Sequence, residues 1–314
     1  MFILRKMVIK TVIFIAVIFI AVILVACASY CTDYCASYTG ERESSEERLI
    51  IYTSFHAMYD FTRTIAGDVF AVYTLIPPGA SAHHWEPSAQ DMVRLASASA
   101  FIYHGAGMEH FTDALRAGLG GSSGLDGPNE KLVFIEASKD VVPSLPQYER
   151  ADPHFWLNPM YAKQIKQTIT EALIEIDPCN IEVFNANFEE SKKRLLELDK
   201  AFEEAARTFA RRDIVVSHGA FGHLSYAYGL NQVIIEGLQV RTDPSPARMV
   251  DIITFVRNND VTTIFYDKDP ALANAVAGAT GVQAVMLDTF EGVSDYDYFT
   301  VMWSNLEVLI YALS

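Results

Sequence analysis

Residues 181–210 read IEVFNANFEESKKRLLELDKAFEEAARTFA. Phe184, Phe188, Leu195, Leu198, Phe202 and Phe209 fall near one face of a helix, and charged residues occupy the other. At ~1.5 Å per residue the helix would be over ~40 Å long, more than one small domain needs. A coiled-coil-like surface helix would show the same pattern. The sequence on either side points instead to a stiff strut between two lobes.

Before the strut, strand-like and helix-like segments alternate. Leu49–Thr53 is a short apolar β-rich run, and Met58–Ala66 has helical spacing closed by Gly67. Val69–Ile76 is a second strand, stopped by Pro77-Pro78-Gly79. Ser88, with Asp91 three residues on, resembles a capping box that opens a helix to about Ser97. Phe101–Tyr103 and Leu132–Glu136 are strands, and Glu109–Leu119 is a helix. Pro159–Ile176 is a helix stopped by Asp177-Pro178. After the strut the pattern resumes. Strands are expected at Asp213–Ser217, Val233–Glu236, Val261–Tyr266 and Gln283–Leu287, with helices at Ala220–Tyr228, Pro246–Asn258, Pro270–Ala279 and Tyr298–Leu313. Alternation of this kind predicts βα units and largely parallel sheets.

Length and composition fit that plan. The chain has 314 residues, enough for two domains of ordinary size, and 51% apolar content is ample for packed cores. A formal net charge of −15 argues against nucleic acid and against an anionic lipid surface as partner. Of four cysteines, Cys27, Cys31 and Cys35 crowd the N-terminus and Cys179 lies far from them; no C-x-x-C pair points to a cysteine zinc site.

The first 27 residues read as a targeting segment. Arg5, Lys6 and Lys10 precede an apolar run from Val12 to Ala26, short for a membrane span of ~20 residues. The run ends in Leu24-Val25-Ala26-Cys27, which resembles the bacterial lipobox, where the cysteine is acylated and becomes the mature N-terminus. An uncleaved anchor helix is the alternative, and either places the body outside the cytoplasmic membrane. Residues 28–48, with a Glu-rich run from Glu41 to Glu47, read as a flexible tether. Gly120-Gly121-Ser122-Ser123-Gly124 formally matches G-x-S-x-G. It follows a helix in a glycine-rich run, so it reads as a turn and not as a hydrolase elbow.

Chemistry concentrates near Asp152-Pro153-His154-Phe155-Trp156-Leu157-Asn158-Pro159. Pro153 stiffens the chain before His154, Asn158 is a good N-cap, and Pro159 suits the first helical position. His154 would sit in a taut loop, as a metal ligand or as a buried structural histidine. Ligands of open α/β sheets bind beyond the carboxyl ends of the strands. His83 and His84 follow the second strand there, His218 follows Val215-Val216-Ser217, and Asp288 follows Val285-Met286-Leu287. Candidates come from both halves, which would place a site in the cleft between lobes.

The chain also resembles the solute-binding proteins of bacterial zinc and manganese ABC importers, from about Arg48 to the C-terminus. The resemblance lies in Thr53-Ser54-Phe55 with Met58-Tyr59-Asp60-Phe61, in Ile65-Ala66-Gly67-Asp68, in Gly79 with His83-His84-Trp85-Glu86-Pro87, and in Gly105-Ala106-Gly107-Met108-Glu109. It continues through Asp152–Leu157, Ser217-His218-Gly219-Ala220-Phe221-Gly222, Asp243-Pro244-Ser245-Pro246, and Met302 with Asn305-Leu306. Each motif alone is modest; their shared order is specific.

That resemblance implies a non-catalytic protein with two lobes, 49–180 and 211–314, each a four-stranded parallel sheet with flanking helices. One rigid helix, 181–210, joins them. It implies delivery of a divalent metal to an ABC permease by a monomer held at the membrane through lipid on Cys27. Its ligand positions fall on His83, His154, His218 and a late carboxylate, Asp288. Three imidazoles and one carboxylate suit Zn²⁺ better than Mn²⁺, which prefers more oxygen. Glu86 and Glu109 are candidates to hold the second imidazole nitrogens. The chain departs from the family at His56, His104 and His223, which are expected to pack and not to ligate, and at Ser81, where an acidic residue is common. The stretch Ala137–Arg150 lacks the His/Asp-rich loop of many zinc-specific relatives. A surface adhesin of the same fold, or a secreted zinc hydrolase, are the competing functions. The hydrolase would need an open coordination position, and no H-E-x-x-H is present.

Overall fold

Short β-branched and aromatic runs pair in parallel and leave their helices to cover the faces. This holds in the computed structural model of the protein, which describes residues 48–119, 132–142, 152–236 and 244–314. The first half runs β1 (Ile50–Thr53), α1 (His56–Ala66), β2 (Ala71–Thr74), α2 (Ala89–Ala96), β3 (Ala100–Tyr103), α3 (Thr112–Leu119) and β4 (Val133–Glu136). Its sheet has the order β2-β1-β3-β4, all parallel, with Ile51 opposite both Val72 and Ala100. The second half runs β5 (Asp213–Val216), α6 (Gly222–Ala227), β6 (Asn231–Ile234), α7 (Pro246–Asn258), β7 (Thr263–Tyr266), α8 (Ala271–Thr280), β8 (Gln283–Met286) and α9 (Tyr298–Leu313). Its order, β6-β5-β7-β8, repeats the first. In both sheets strand order reverses beside the first strand, the place where open α/β sheets leave a crevice.

Between the sheets lie α4 (Pro159–Ile176) and the long α5 (Ile181–Ala206). Local signals set the helix ends. Ser88 and Asp91 make the reciprocal capping box, and Asn158 and Ser245 cap helices that begin with proline. Gly281 closes α8 in the left-handed conformation at φ 82°. The joining helix is shorter than its apolar periodicity suggests. It has 26 residues, roughly 39 Å at ~1.5 Å per residue, and stops at Ala206. Beyond it, the amides of Ala210 and Arg211 donate to the Leu313 carbonyl, so the chain turns to meet the end of α9. Phe209 is still buried, which is why the apolar pattern outlasts the helix.

Leu49–Ser314 is one compact unit. One apolar core includes Ile51, Phe61, Trp156, Ile165, Leu195, Phe202, Val216, Phe265 and Tyr298, and so runs from the first sheet through α4 and α5 to the second. The C-terminal α9 returns to pack on α5 and α1. A separate, smaller core of Val215, Ile252, Val256, Ile264, Ala273 and Val276 lies between the second sheet and α7 and α8. The targeting segment with Cys27, the tether up to residue 47, the Gly120–Gly124 turn, residues 143–151 and Asp243 lie outside the described residues. No helix among the described residues is long and apolar enough to cross a membrane.

Candidate metal centre

His154 is fixed before any ligand arrives. The Asp152 carboxylate accepts the His154 backbone N–H at 2.9 Å and lies 2.7 Å from Nδ1. A carboxylate can only accept there, so Nδ1 carries a proton and Nε2 is the nitrogen left to meet a metal, once the metal displaces any proton on it. Next comes a single 3-10 turn, Phe155–Leu157, and then Asn158, whose side chain accepts the amides of Met160 and Tyr161 and starts α4. The segment is tied to the second half of the chain. Trp156 Nε1 donates to the Thr289 carbonyl at 2.7 Å, and Tyr298 Oη donates to the Trp156 carbonyl at 2.7 Å. His223 Nε2 lies 2.9 Å from the Asp152 carbonyl and donates to it. A Cβ on Gly222 would sit 2.4 Å from Asp152 Oδ2, so glycine is required for α6 to approach this closely.

Three further groups converge on His154 Nε2. His83 reaches it from the turn after β2, with Nε2 at 3.2 Å; the neighbouring His84 is exposed. His218, just past β5, brings Nε2 to 3.1 Å. Glu291, in the loop after β8, places Oε1 3.2 Å from His154 Nε2, 3.4 Å from His218 Nε2 and 4.0 Å from His83 Nε2. All four side chains are buried, and their four donor atoms lie within 4.8 Å of one another. Metal–nitrogen bonds of 2.0–2.1 Å in a tetrahedron put donor atoms about 3.3 Å apart. Four of the spacings, 3.1–3.4 Å, match that edge, and the Glu291–His83 spacing of 4.0 Å is wider. One proton cannot serve both imidazole contacts of His154, and Glu291 Oε1 is buried without a hydrogen bond. A cation at the centre would satisfy all four lone pairs at once.

The electrostatics follow from burial and these neighbours. Burial opposes charge on His154, but Asp152 and Glu291 outweigh it and raise its pKa to about 9. His83 goes the other way, to about 4, because burial dominates over the attraction of Glu291. Burial alone would raise the Glu291 carboxyl; His154 and His218 overcome it and hold it well below the usual range. A cavity of about 350 Å³ adjoins the cluster, lined by His83, His218 and Glu291 together with Glu236, Asp267 and Lys268.

The structure brings His83, His154 and His218 together, while Asp288 lies outside the cluster. Its Oδ1 accepts the Phe290 amide at 2.8 Å, and its backbone is clipped by Asn305. The carboxylate at the centre is Glu291, three residues on, which no local spacing in the sequence marks. Glu86 and Glu109 also serve elsewhere. Glu86 pairs with exposed His110, and Glu109 accepts from Ser54 and from the amides of His104 and Gly105. Asp152 holds the imidazole nitrogen instead. Of the extra histidines, His104 is buried among Phe55, Phe155 and Trp156, His56 packs on Phe290, and His223 braces Asp152. None of the three joins the four-residue cluster.

Two parallel-sheet halves with three imidazoles and a carboxylate gathered between them define a solute-binding protein built around a metal-sized pocket. Residues 51–312 match the ZnuA family, described as zinc-uptake complex component A, periplasmic, and the chain belongs to that family. It is 29% identical over 296 residues to the high-affinity zinc uptake system protein ZnuA of Bacillus subtilis, covering 87% of this chain and 90% of that one. It is also 29% identical to the zinc-binding lipoprotein AdcA of Streptococcus pneumoniae, covering 90% of this chain but only 59% of AdcA. Among solved structures, the Zn(II)-bound ZnuA-like domain of Streptococcus pneumoniae AdcA superposes with a TM-score of 0.74 at 31% identity, covering 85% of this chain and 99% of that one. The laminin-binding protein Lmb of Streptococcus agalactiae, described as bifunctional with adhesin and metal-transporting activity, gives 0.76 at 29% identity, covering 85% and 100%.

Proposed function

We propose that this protein captures Zn²⁺ outside the cytoplasm and hands it to the permease of an ABC importer, without catalysis. The ligands are His83, His154 and His218 through Nε2 and Glu291 through Oε1. The observation that supports this reading above all is the convergence of those four buried donor atoms to within 4.8 Å of one another. Three nitrogens and one oxygen favour zinc over manganese, whose sites are richer in oxygen. Four protein donors leave no open position for water, which weighs against a zinc hydrolase. The likeness to Lmb is compatible with an additional adhesin role, but no feature of the pocket calls for one.

In this reading Cys27 carries the lipid, residues 28–48 form the tether, and the monomeric body faces the permease. The lobes are 49–180 and 211–314, joined by the helical segment 181–210. The test is calorimetry on the mature chain with zinc and manganese. One zinc per chain, bound more tightly than manganese and weakened by Glu291→Gln, is the expected result. Tighter manganese binding would overturn the assignment, as would unchanged zinc affinity in His218→Ala.

A further inference from the structure

The segment Asp288–Glu291 is held at every residue that precedes the carboxylate. The Asp288 amide donates to Asn305 Oδ1 at 2.9 Å, and Asn305 Nδ2 returns a bond to the Asp288 carbonyl at 2.8 Å. The Thr289 carbonyl accepts Trp156 Nε1 from the segment that carries His154. Phe290 has φ 57°, a left-handed backbone that L-residues adopt at a cost. Its ring is fully buried, edge-on to His56 at 4.8 Å and to Tyr298 at 5.7 Å. Such strain persists only where the surroundings over-determine it.

The hydrogen bond that closes this turn comes from a side chain. Asp288 Oδ1 accepts the amide of Phe290, two residues on, at 2.8 Å, the local bond by which Asp and Asn mimic a backbone turn. The reversed backbone at Phe290 then sends Glu291 inward, to 3.2 Å from His154 Nε2 and 3.4 Å from His218 Nε2. We infer that Asp288 is a positioning residue for the carboxylate ligand, acting through the Phe290 amide and not through the metal. This rests on the proposal that Glu291 ligates.

The inference separates two variants that differ by one group. Asn keeps an Oδ1 acceptor for the Phe290 amide but is a poor metal ligand; Ala keeps neither. The experiment uses the full mature chain, with zinc affinity measured by competition against a chromophoric chelator. The visible absorption of the Co²⁺-loaded protein reports the ligand set. Asp288→Ala should bind zinc at least about tenfold more weakly, the range for loss of a group that orients a ligand. Its cobalt spectrum should move toward that of Glu291→Gln. Asp288→Asn should restore the wild-type spectrum and bring affinity back to within a few-fold. A spectrum in Asp288→Asn that matches Glu291→Gln would overturn the inference, as would unchanged affinity in Asp288→Ala. Should Asp288→Ala fail to fold, the Asp288→Asn spectrum alone still decides, and Asn305→Ala supplies the second loss of the clip. Unchanged zinc binding in both Glu291→Gln and His154→Ala would instead mean that the metal centre itself is misassigned.

Discussion

Two turns deliver a histidine to the same point, and they are built differently. The Asp152–Asn158 turn is bolted across the molecule: Trp156 bonds Thr289, Tyr298 bonds Trp156, and His223 bonds Asp152. The turn from Pro77 to Trp85 is hydrogen-bonded locally and packs within the first half, with Ala82 in the core and the Trp85 ring edge-on to Phe111. The amides of Ala80, His84 and Trp85 donate to Pro77 and Ser81, and the His83 amide lies 3.3 Å from Ser81 Oγ. His154 is therefore set in place by hydrogen bonds from the second half of the chain, while the turn that carries His83 is held within the first half. A ligand held ready costs less ordering when the metal binds. Under the proposed ligand set, His154 anchors the ion and His83 completes the shell.

That contrast can be broken most directly by removing each imidazole. His154→Ala should weaken zinc binding by more than the ~100-fold that loss of an outer partner costs. His83→Ala should lose roughly an order of magnitude less and mainly speed dissociation, as read by stopped-flow chelation. Equal losses would end the distinction. Asp152→Ala, which frees the His154 ring, should cost about 10–100-fold in a zinc competition titration.

The pH dependence sharpens the same contrast. The proton that Asp152 and Glu291 keep on metal-free His154 persists to about pH 9, so the metal must displace it below that pH. Affinity should then rise about tenfold per pH unit from near neutrality toward pH 9 and level off above it. His83, with its pKa near 4, is already neutral in this window and adds no slope. Calorimetry in buffers of different ionisation heat would count one proton released. An unperturbed imidazole would instead place the change near pH 6.5. The smallest effect concerns the bolts. Trp156→Phe keeps most of the ring but leaves the buried Thr289 carbonyl unpaired, which should cost about 1–2 kcal/mol in chemical denaturation.

Much of this architecture was legible because local signals and periodicity agreed. Asn158-Pro159, Ser88 with Asp91, and Ser245-Pro246 marked helix starts, and each caps as its chemistry requires. The apolar stripe of 181–210 revealed the joining helix but overran it, since burial of Phe209 continues after helical hydrogen bonding has stopped. The three histidines were legible because each follows a strand or a proline. Glu291 was not. Proximity to the strand end pointed to Asp288, but a left-handed residue at Phe290, unusual for an aromatic, reverses the chain and brings the later carboxylate in. Asp152 as the partner of His154 was equally hidden, because two-residue spacing becomes a hydrogen bond only in the geometry of that turn.

The most direct test is anomalous diffraction at the zinc edge from crystals of the zinc-loaded protein. One peak should lie about 2.0–2.2 Å from Nε2 of His83, His154 and His218 and from a carboxylate oxygen of Glu291. A peak elsewhere, or one bound by Asp288 in place of Glu291, would contradict the account.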